Sequence, residues 1–145
     1  MVLFIANGQH RKYMSIKILQ SIVIQSNPEI VFDYTQDYNN RLKWDTFLQE
    51  ARLINGANKL AKGVKAWCVA YNGMGMETEY VSFNRPKVTA AKMTRGPYMF
   101  KSFAGSWQFE KQGENSTLVT FTYSFKFRFP YNIGSIFIKK ISTKT

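Results

Sequence analysis

Apolar and polar residues recur with two different periods along this chain, and the change of period separates two kinds of predicted element. The first regular stretch, SIKILQSIVIQ at 15–25, is rich in β-branched residues and partly alternating, which predicts a strand. Asn27, Pro28 and Glu29 follow, and they suit the cap, the first position and the positive dipole end of a helix. We therefore expect a strand and then a helix.

Two short helices are predicted in the next segment instead of one long helix. Ile30, Val31 and Tyr34 form an apolar stripe at helical spacing. The tetrapeptide DYNN at 37–40 interrupts this helix, because its side chains compete for backbone hydrogen bonds. A second helical piece, RLKW at 41–44, then turns its tryptophan toward an apolar surface.

From residue 46 onward the period is two, which predicts strands joined by short turns. The six predicted strands are 47–54, 63–71, 75–84, 87–94, 98–110 and 116–129. Turn-forming pairs such as Asn55-Gly56 and Asn72-Gly73 separate them, so we expect an antiparallel meander. One face of the last strand is apolar and largely aromatic, and it comprises Val119, Phe121, Tyr123, Phe125, Phe127 and Phe129.

The C-terminal segment, YNIGSIFIKKISTKT, has the period of a short amphipathic helix. Its apolar face comprises Ile133, Ile136, Phe137 and Ile141. A face of this kind must be covered, and the aromatic side of the sheet is the expected partner.

Chain length favours one domain, since 145 residues are typical of a single fold. The regular pattern begins at Met14, so we expect residues 1–13 to be a loose N-terminal tail and 14–145 to be the domain. No basic residue precedes the first apolar run, as it would in a signal peptide, and no stretch approaches the roughly 18 apolar residues of a membrane span. Cys68 is the only cysteine, which fits a reducing compartment. The expected location is the cytoplasm.

The net charge of +11 is unevenly distributed, because no acidic residue follows Glu114. Such a field attracts nucleic acid or an anionic membrane, and it also serves simply to keep a protein soluble. Strand 116–129 places its rings and its cations on opposite faces, which is poor geometry for a nucleic-acid site.

Four segments resemble the polyketide cyclase/dehydrase-like branch of the START/Bet v 1-like (SRPBCC, helix-grip) superfamily. They are NPEIVFDYTQDYNNRLKWD, GVKAWCVAYNGMGMETEYVSFNRPK, FAGSWQFEK and NSTLVTFTYSFKFRF. The resemblance implies an α+β helix-grip fold, in which a curved, antiparallel, seven-stranded sheet (β-α-α-β6-α) wraps around a C-terminal helix and leaves a cavity. That helix is short here, so we expect a more open cavity or one that a second copy completes in a homodimer.

Rings and polar groups on the expected concave face are the predicted ligand-binding residues. They are Trp44, Trp67, Tyr71, Glu77, Tyr98, Phe103, Trp107, Tyr123 and Phe127. The alternative for each ring is simple core packing. Pockets lined by rings and a few polar groups are typical small-molecule sites, which favours a binding role for the set as a whole.

Glu77 and Glu79 are two residues apart on one predicted strand, so they face the same way, together with Val81 and Phe83. On a concave face, desolvation would raise their pKa values and suit them to acid–base catalysis. The alternative is an exposed face where they meet Lys65 or Lys92 across the sheet. Met74, Met76 and Tyr80, on the opposite face, are equally good candidates for lining an apolar pocket.

Cofactor sites are not indicated. His10 and Cys68 cannot form a zinc set or a catalytic triad, and no phosphate-binding glycine loop is present, so we expect neither metal nor cofactor. The leading hypothesis is a module that binds a hydrophobic or amphipathic small molecule, such as a lipid, an isoprenoid or a polyketide-like compound. The alternatives are a cyclase or dehydratase enzyme, and a protein whose basic surface binds RNA, the ribosome or an anionic membrane.

Overall fold

The computed structural model describes the backbone of Leu3–Phe4 and all of residues 15–129. The predicted C-terminal helix lies outside the described residues. The elements, in chain order, are β1 (Leu3–Phe4), β2 (Ser15–Ile24), α1 (Pro28–Gln36), α2 (Arg41–Trp44), β3 (Leu48–Leu53), β4 (Lys65–Ala70), β5 (Gly75–Asn84), β6 (Val88–Arg95), β7 (Phe100–Gly113) and β8 (Ser116–Phe127).

The strands form one antiparallel sheet in the order β1-β2-β8-β7-β6-β5-β4-β3. The chain leaves β2, passes through both helices to the far edge at β3, and returns strand by strand to β8 beside β2. This confirms the predicted meander and the seven predicted strands. The two-residue strand β1, within the segment expected to be a loose tail, pairs with β2 and adds a strand that the sequence did not predict.

Helix α1 begins where the sequence predicted. The Asn27 side chain accepts a hydrogen bond from the Ile30 backbone N–H at 3.0 Å, and Pro28 occupies the first turn. The predicted apolar stripe is wrong, however, because Ile30 and Tyr34 are exposed. The buried residues are Pro28, Val31, Phe32 and Gln36, a set that falls on one side of a helix with 3.6 residues per turn.

The two helices lie on one face of the sheet, which we call the inner face. Val31 and Phe32 of α1 pack there against Trp107 and Phe109 of β7 and Val119 of β8. A buried hydrogen bond of 3.0 Å from the Thr89 hydroxyl to the Gln36 side-chain oxygen ties α1 to β6. We call the opposite side of the sheet the outer face.

A register shift in β5 changes which residues reach the inner face. Tyr80 pairs with Ala91 of β6, and Ser82 pairs with the adjacent Ala90. Two steps along β5 therefore match one step along β6, so β5 has one extra residue at this point. Such a β-bulge interrupts the strict alternation of side chains. Phe83 therefore lies on the inner face, where its ring is 5.4 Å from that of Phe32. The prediction that it shares a face with Glu77 and Glu79 was wrong.

Candidate functional site

A buried ion pair lies on the inner face, where the short helix α2 ends. The Arg41 Nε and Nη2 atoms are each 2.9 Å from Oδ2 of Asp45, four residues later in the sequence. Only 12% of the Arg41 side chain and 15% of the Asp45 side chain are exposed. The other Asp45 oxygen, Oδ1, accepts the Phe47 backbone N–H at 3.1 Å, which orients the carboxylate.

Aromatic rings surround the Arg41 guanidinium. Its central carbon lies 4.7 Å from the ring centroid of Trp44, 5.5 Å from that of Trp107 and 5.9 Å from that of Tyr38. Trp44 and Trp107 meet edge to face with their centroids 5.2 Å apart. A cation beside ring faces is attracted by their quadrupoles, and the attraction is stronger where water is excluded. The rings therefore help to hold a charge in a largely apolar environment.

Trp44 also contributes a polar atom without a partner. Its Nε1 atom is buried and has no hydrogen-bond partner within the part of the chain that the structure describes. Buried indole N–H groups usually donate a hydrogen bond, and leaving one unpaired costs free energy. This position therefore has a donor for which residues 15–129 supply no acceptor.

Three tyrosines complete the polar part of the inner face. The Tyr38 and Tyr80 hydroxyl oxygens are 3.0 Å apart, in a hydrogen bond between the turn that joins α1 to α2 and strand β5. Burial raises the pKa values of Tyr38, Tyr80 and Tyr123 above the ordinary value. Their hydroxyl groups therefore stay protonated at neutral pH and can donate hydrogen bonds.

Cys68 lies near the same polar cluster, which raises the question of covalent chemistry. Burial raises the pKa of its thiol, so the nucleophilic thiolate is disfavoured. The arrangement binds and orients polar groups better than it activates a nucleophile.

The rest of the inner face on β7 and β8 is a continuous set of rings. Phe103 lies 5.7 Å from Tyr123 and 5.9 Å from Phe125, measured between ring centroids. Phe127, only 1% exposed, stacks on Phe100 at 5.3 Å. A large apolar surface therefore adjoins the polar cluster.

A cleft of about 880 Å³ opens between α1 on one side and the β3–β4 loop with the ends of β3 and β5 on the other. Its apolar wall consists of Phe32, Leu53, Leu60 and Phe83, and Tyr38 lies in its lining. At its rim the Arg85 guanidinium binds both carboxylate oxygens of Asp33, at 2.6 and 2.7 Å. Tyr38 lines this cleft and also belongs to the rings around Arg41, so the cleft and the polar cluster are neighbours on the inner face.

A sequence profile of the family described as "Polyketide cyclase / dehydrase and lipid transport" matches residues 15–144. The chain belongs to this family. The assignment confirms the predicted resemblance and supports a ligand-binding domain, without defining the ligand. No curated protein sequence matches this member of the polyketide cyclase/dehydrase family.

Solved structures similar to this family member confirm the helix-grip fold. The protein XoxI from Bacillus cereus has 16% identity and a TM-score of 0.68, with 86% of this chain and 84% of that chain covered. Major latex-like protein 151 from Panax ginseng has 17% identity and a TM-score of 0.66, with 86% and 91% covered. Norcoclaurine synthase from Thalictrum flavum, solved with dopamine and hydroxybenzaldehyde, has 9% identity and a TM-score of 0.66, with 91% and 83% covered.

The residues predicted to bind a ligand fall into three groups in the structure. Trp44, Phe103, Trp107, Tyr123 and Phe127 share the inner face, as their ring contacts show. Two others, Tyr71 and Tyr98, are 71% and 75% exposed in the turns at one end of the sheet. Trp67 and Glu77 pair with each other across β4 and β5 on the outer face.

Glu77 and Glu79 were predicted as catalytic candidates only for a concave position, and both lie on the outer face. Their neighbour Thr78 pairs with Ala66, which is fully buried in the inner-face cluster, so the glutamates point the other way. Glu77 Oε1 accepts hydrogen bonds from Thr94 at 2.8 Å and Lys65 at 3.1 Å.

These hydrogen bonds, first that from Thr94 and then that from Lys65, lower the pKa of Glu77. A lowered pKa opposes the role of a general base. The alternative, that this glutamate meets Lys65, is confirmed. A catalytic role for Glu77 or Glu79 stays a prediction, but it depended on a position on the concave face, and neither residue lies there.

Sequence reasoning missed Arg41 and Asp45, which are central to the inner-face cluster. The available signal was their spacing in RLKWD, since residues four apart on a helix are neighbours. Sequence reasoning treated Tyr38 only as one of the residues 37–40 that interrupt the helix. In the structure, its position in that turn lets its hydroxyl contact Tyr80.

The described residues also limit other kinds of site. Among the side chains of residues 15–129, no group of three or more His, Cys, Asp and Glu residues lies close enough together to hold a metal ion. Within the same range, the helices are all too short or too polar to cross a membrane.

Proposed function

We propose that this domain binds a hydrophobic or amphipathic small molecule, such as a lipid, an isoprenoid or a polyketide-like compound, between the inner face and the C-terminal segment. The observation that carries the proposal is the inner face itself, where a largely buried polar cluster around Arg41 adjoins a surface of rings and a cleft of about 880 Å³ lies beside them. Small-molecule pockets usually measure about 300–1,000 Å³ and combine apolar walls with a few polar groups.

The binding mechanism is burial of apolar surface. Removing apolar area from water stabilises a complex by about 25 cal/mol per Å², less the cost of ordering the ligand and side chains. The half-buried rings of Phe103 and Tyr123 supply such area, and the groups around Arg41 would orient the polar end. That norcoclaurine synthase, of the same fold, was solved with dopamine and hydroxybenzaldehyde is consistent with small ring-containing ligands.

The other hypotheses have less support. A cyclase or dehydratase would need a free base at the site. Asp45 is held by Arg41, and of the two carboxylates that line the cleft, Asp33 is held by Arg85 and Asp37 accepts the Asn39 backbone N–H. Binding of RNA, ribosome or anionic membrane by the basic surface, homodimer formation and a cytoplasmic location stay predictions from the sequence.

Native mass spectrometry after mild extraction tests the proposal. We expect a hydrophobic molecule to co-purify with the wild-type chain, and we expect Phe103→Ala to lower its occupancy because a half-buried ring of the inner face is lost. Tyr34→Ala is the matched control, since Tyr34 is an exposed ring on α1 and should not affect occupancy. A wild-type protein that is always empty, and that binds no added lipid or aromatic compound, would contradict the proposal.

A further inference from the structure

We infer that the polar end of the ligand is an anionic oxygen group, in the simplest case a carboxylate, which is held by Arg41 and Trp44 of α2. This inference rests on the proposed function and specifies its ligand class. It depends on an excess of hydrogen-bond donors over acceptors at one place on the inner face.

The first step is the geometry of the ion pair. A guanidinium carries five N–H donors. The Arg41 Nε–H donates to Asp45 Oδ2 and Nη2 lies 2.9 Å from the same oxygen, while Oδ1 accepts the Phe47 backbone N–H. Asp45 therefore balances the charge of Arg41 but uses only one edge of its planar donor set. The remaining edge suits a second carboxylate, because guanidinium groups bind carboxylates in a planar fork.

The second step is the unpaired indole. Trp44 Nε1 is a buried donor that has no acceptor within residues 15–129, and its ring lies 4.7 Å from the Arg41 guanidinium carbon. We assign the acceptor of this hydrogen bond to the same ligand oxygen, because the indole ring packs against the guanidinium. A hydroxyl or amine end group would satisfy the site less well, since an amine brings further donors and no negative charge.

The third step is the state of the neighbouring tyrosines. One hydroxyl of the Tyr38–Tyr80 pair donates to the other, and the second O–H of the pair has only the Cys68 sulfur, a weak acceptor, within reach among the described residues. The Tyr123 hydroxyl also lies close enough to Arg41 for the guanidinium charge to act on it. Protonated phenols beside a cation again favour an anionic acceptor.

Amphiphiles with the same tail and different head groups test this inference. Decanoate, decanol and decylamine would be titrated below their micelle concentrations into the whole protein, with binding measured by calorimetry. Charge-assisted hydrogen bonds contribute strongly, so we expect decanoate to bind at least about tenfold more tightly than decanol, and decylamine to bind most weakly.

Two variants locate the preference. Trp44→Phe keeps a ring and removes the donor, so decanoate binding should weaken several-fold while decanol binding changes little. The double variant Arg41→Gln with Asp45→Asn removes both charges together, and it should bind decanoate and decanol about equally. Arg95→Gln and Trp67→Phe, a cation and an indole in contact on the outer face, are the matched controls and should keep the preference.

The outcomes separate the two proposals. Equal binding of all three amphiphiles, or tightest binding of decylamine, overturns the anionic head group and leaves the proposed function intact. A preference for decanoate that survives both inner-face variants overturns the assignment to Arg41 and Trp44. If none of the three binds, the proposed function is contradicted, and the inference fails with it.

Discussion

The sheet carries two clusters of similar composition on its opposite faces. On the inner face, Arg41 pairs with Asp45 and lies against Trp44. On the outer face, Arg95 lies 3.6 Å from Glu77 and 5.6 Å from the ring of Trp67.

Exposure of the cations distinguishes these clusters, since 12% of the Arg41 side chain but 74% of the Arg95 side chain meets solvent, whereas the carboxylates of Asp45 and Glu77 are similarly covered, at 15% and 14%. Water screens the outer cation, so Arg95 depends little on its protein partner. On the inner face each charged or polar group depends on its protein partners or on a ligand. The same residue types therefore form a surface network on one side and a candidate binding site on the other.

Truncation of the two tryptophans should show the largest difference. Trp107 is 6% exposed and packs against Val31, Phe32 and Phe109, so Trp107→Ala should lower the free energy of unfolding by about 3–5 kcal/mol. Trp67→Ala, on the outer face, should cost about 1 kcal/mol. Urea denaturation of both variants measures this difference, and similar midpoints would show that the outer face is also part of the core.

Neutralising one carboxylate in each cluster should give the next largest difference. Asp45→Asn leaves the Arg41 charge buried without its partner, which should cost about 3 kcal/mol, and Arg41→Gln in the same chain should recover part of the loss. Glu77→Gln should move the urea midpoint very little, because solvent reaches the cations around it. An Asp45→Asn chain as stable as Glu77→Gln would mean that Arg41 is not buried.

The smallest expected effect is the pH dependence that Glu77 contributes. Its pKa in the folded chain is lowered from 4.5 by the hydrogen bonds from Thr94 and Lys65. The stabilisation is therefore present above pH 4.5 and is lost as the pH falls through the lowered value. We expect the small stability difference between wild type and Glu77→Gln to disappear on acidification below pH 4.5. A difference that grows on acidification would indicate a raised pKa instead.

Local chemistry explains why much of the fold was predictable. The cap at Asn27, the helix start at Pro28 and the turns between strands depend on residues that are adjacent in sequence. Two predictions about faces failed because they depended on more distant partners. Ile30 and Tyr34 are exposed since the sheet packs against the Val31–Phe32 side of α1, and Phe83 changes face because of a β-bulge in β5.

The amino-acid pattern alone determined the order of elements, the antiparallel meander and the existence of a ring-rich face, because the periods of strands and helices are local properties of the chain. Only the tertiary structure decided which polar groups join those rings. Alternation places Glu77 and Glu79 together but is symmetric between the two sides of a sheet, so it could not tell that both face outward. Likewise, the contact of Arg41 with Trp107 joins residues far apart in sequence, and it arises only when α2 packs on the inner face.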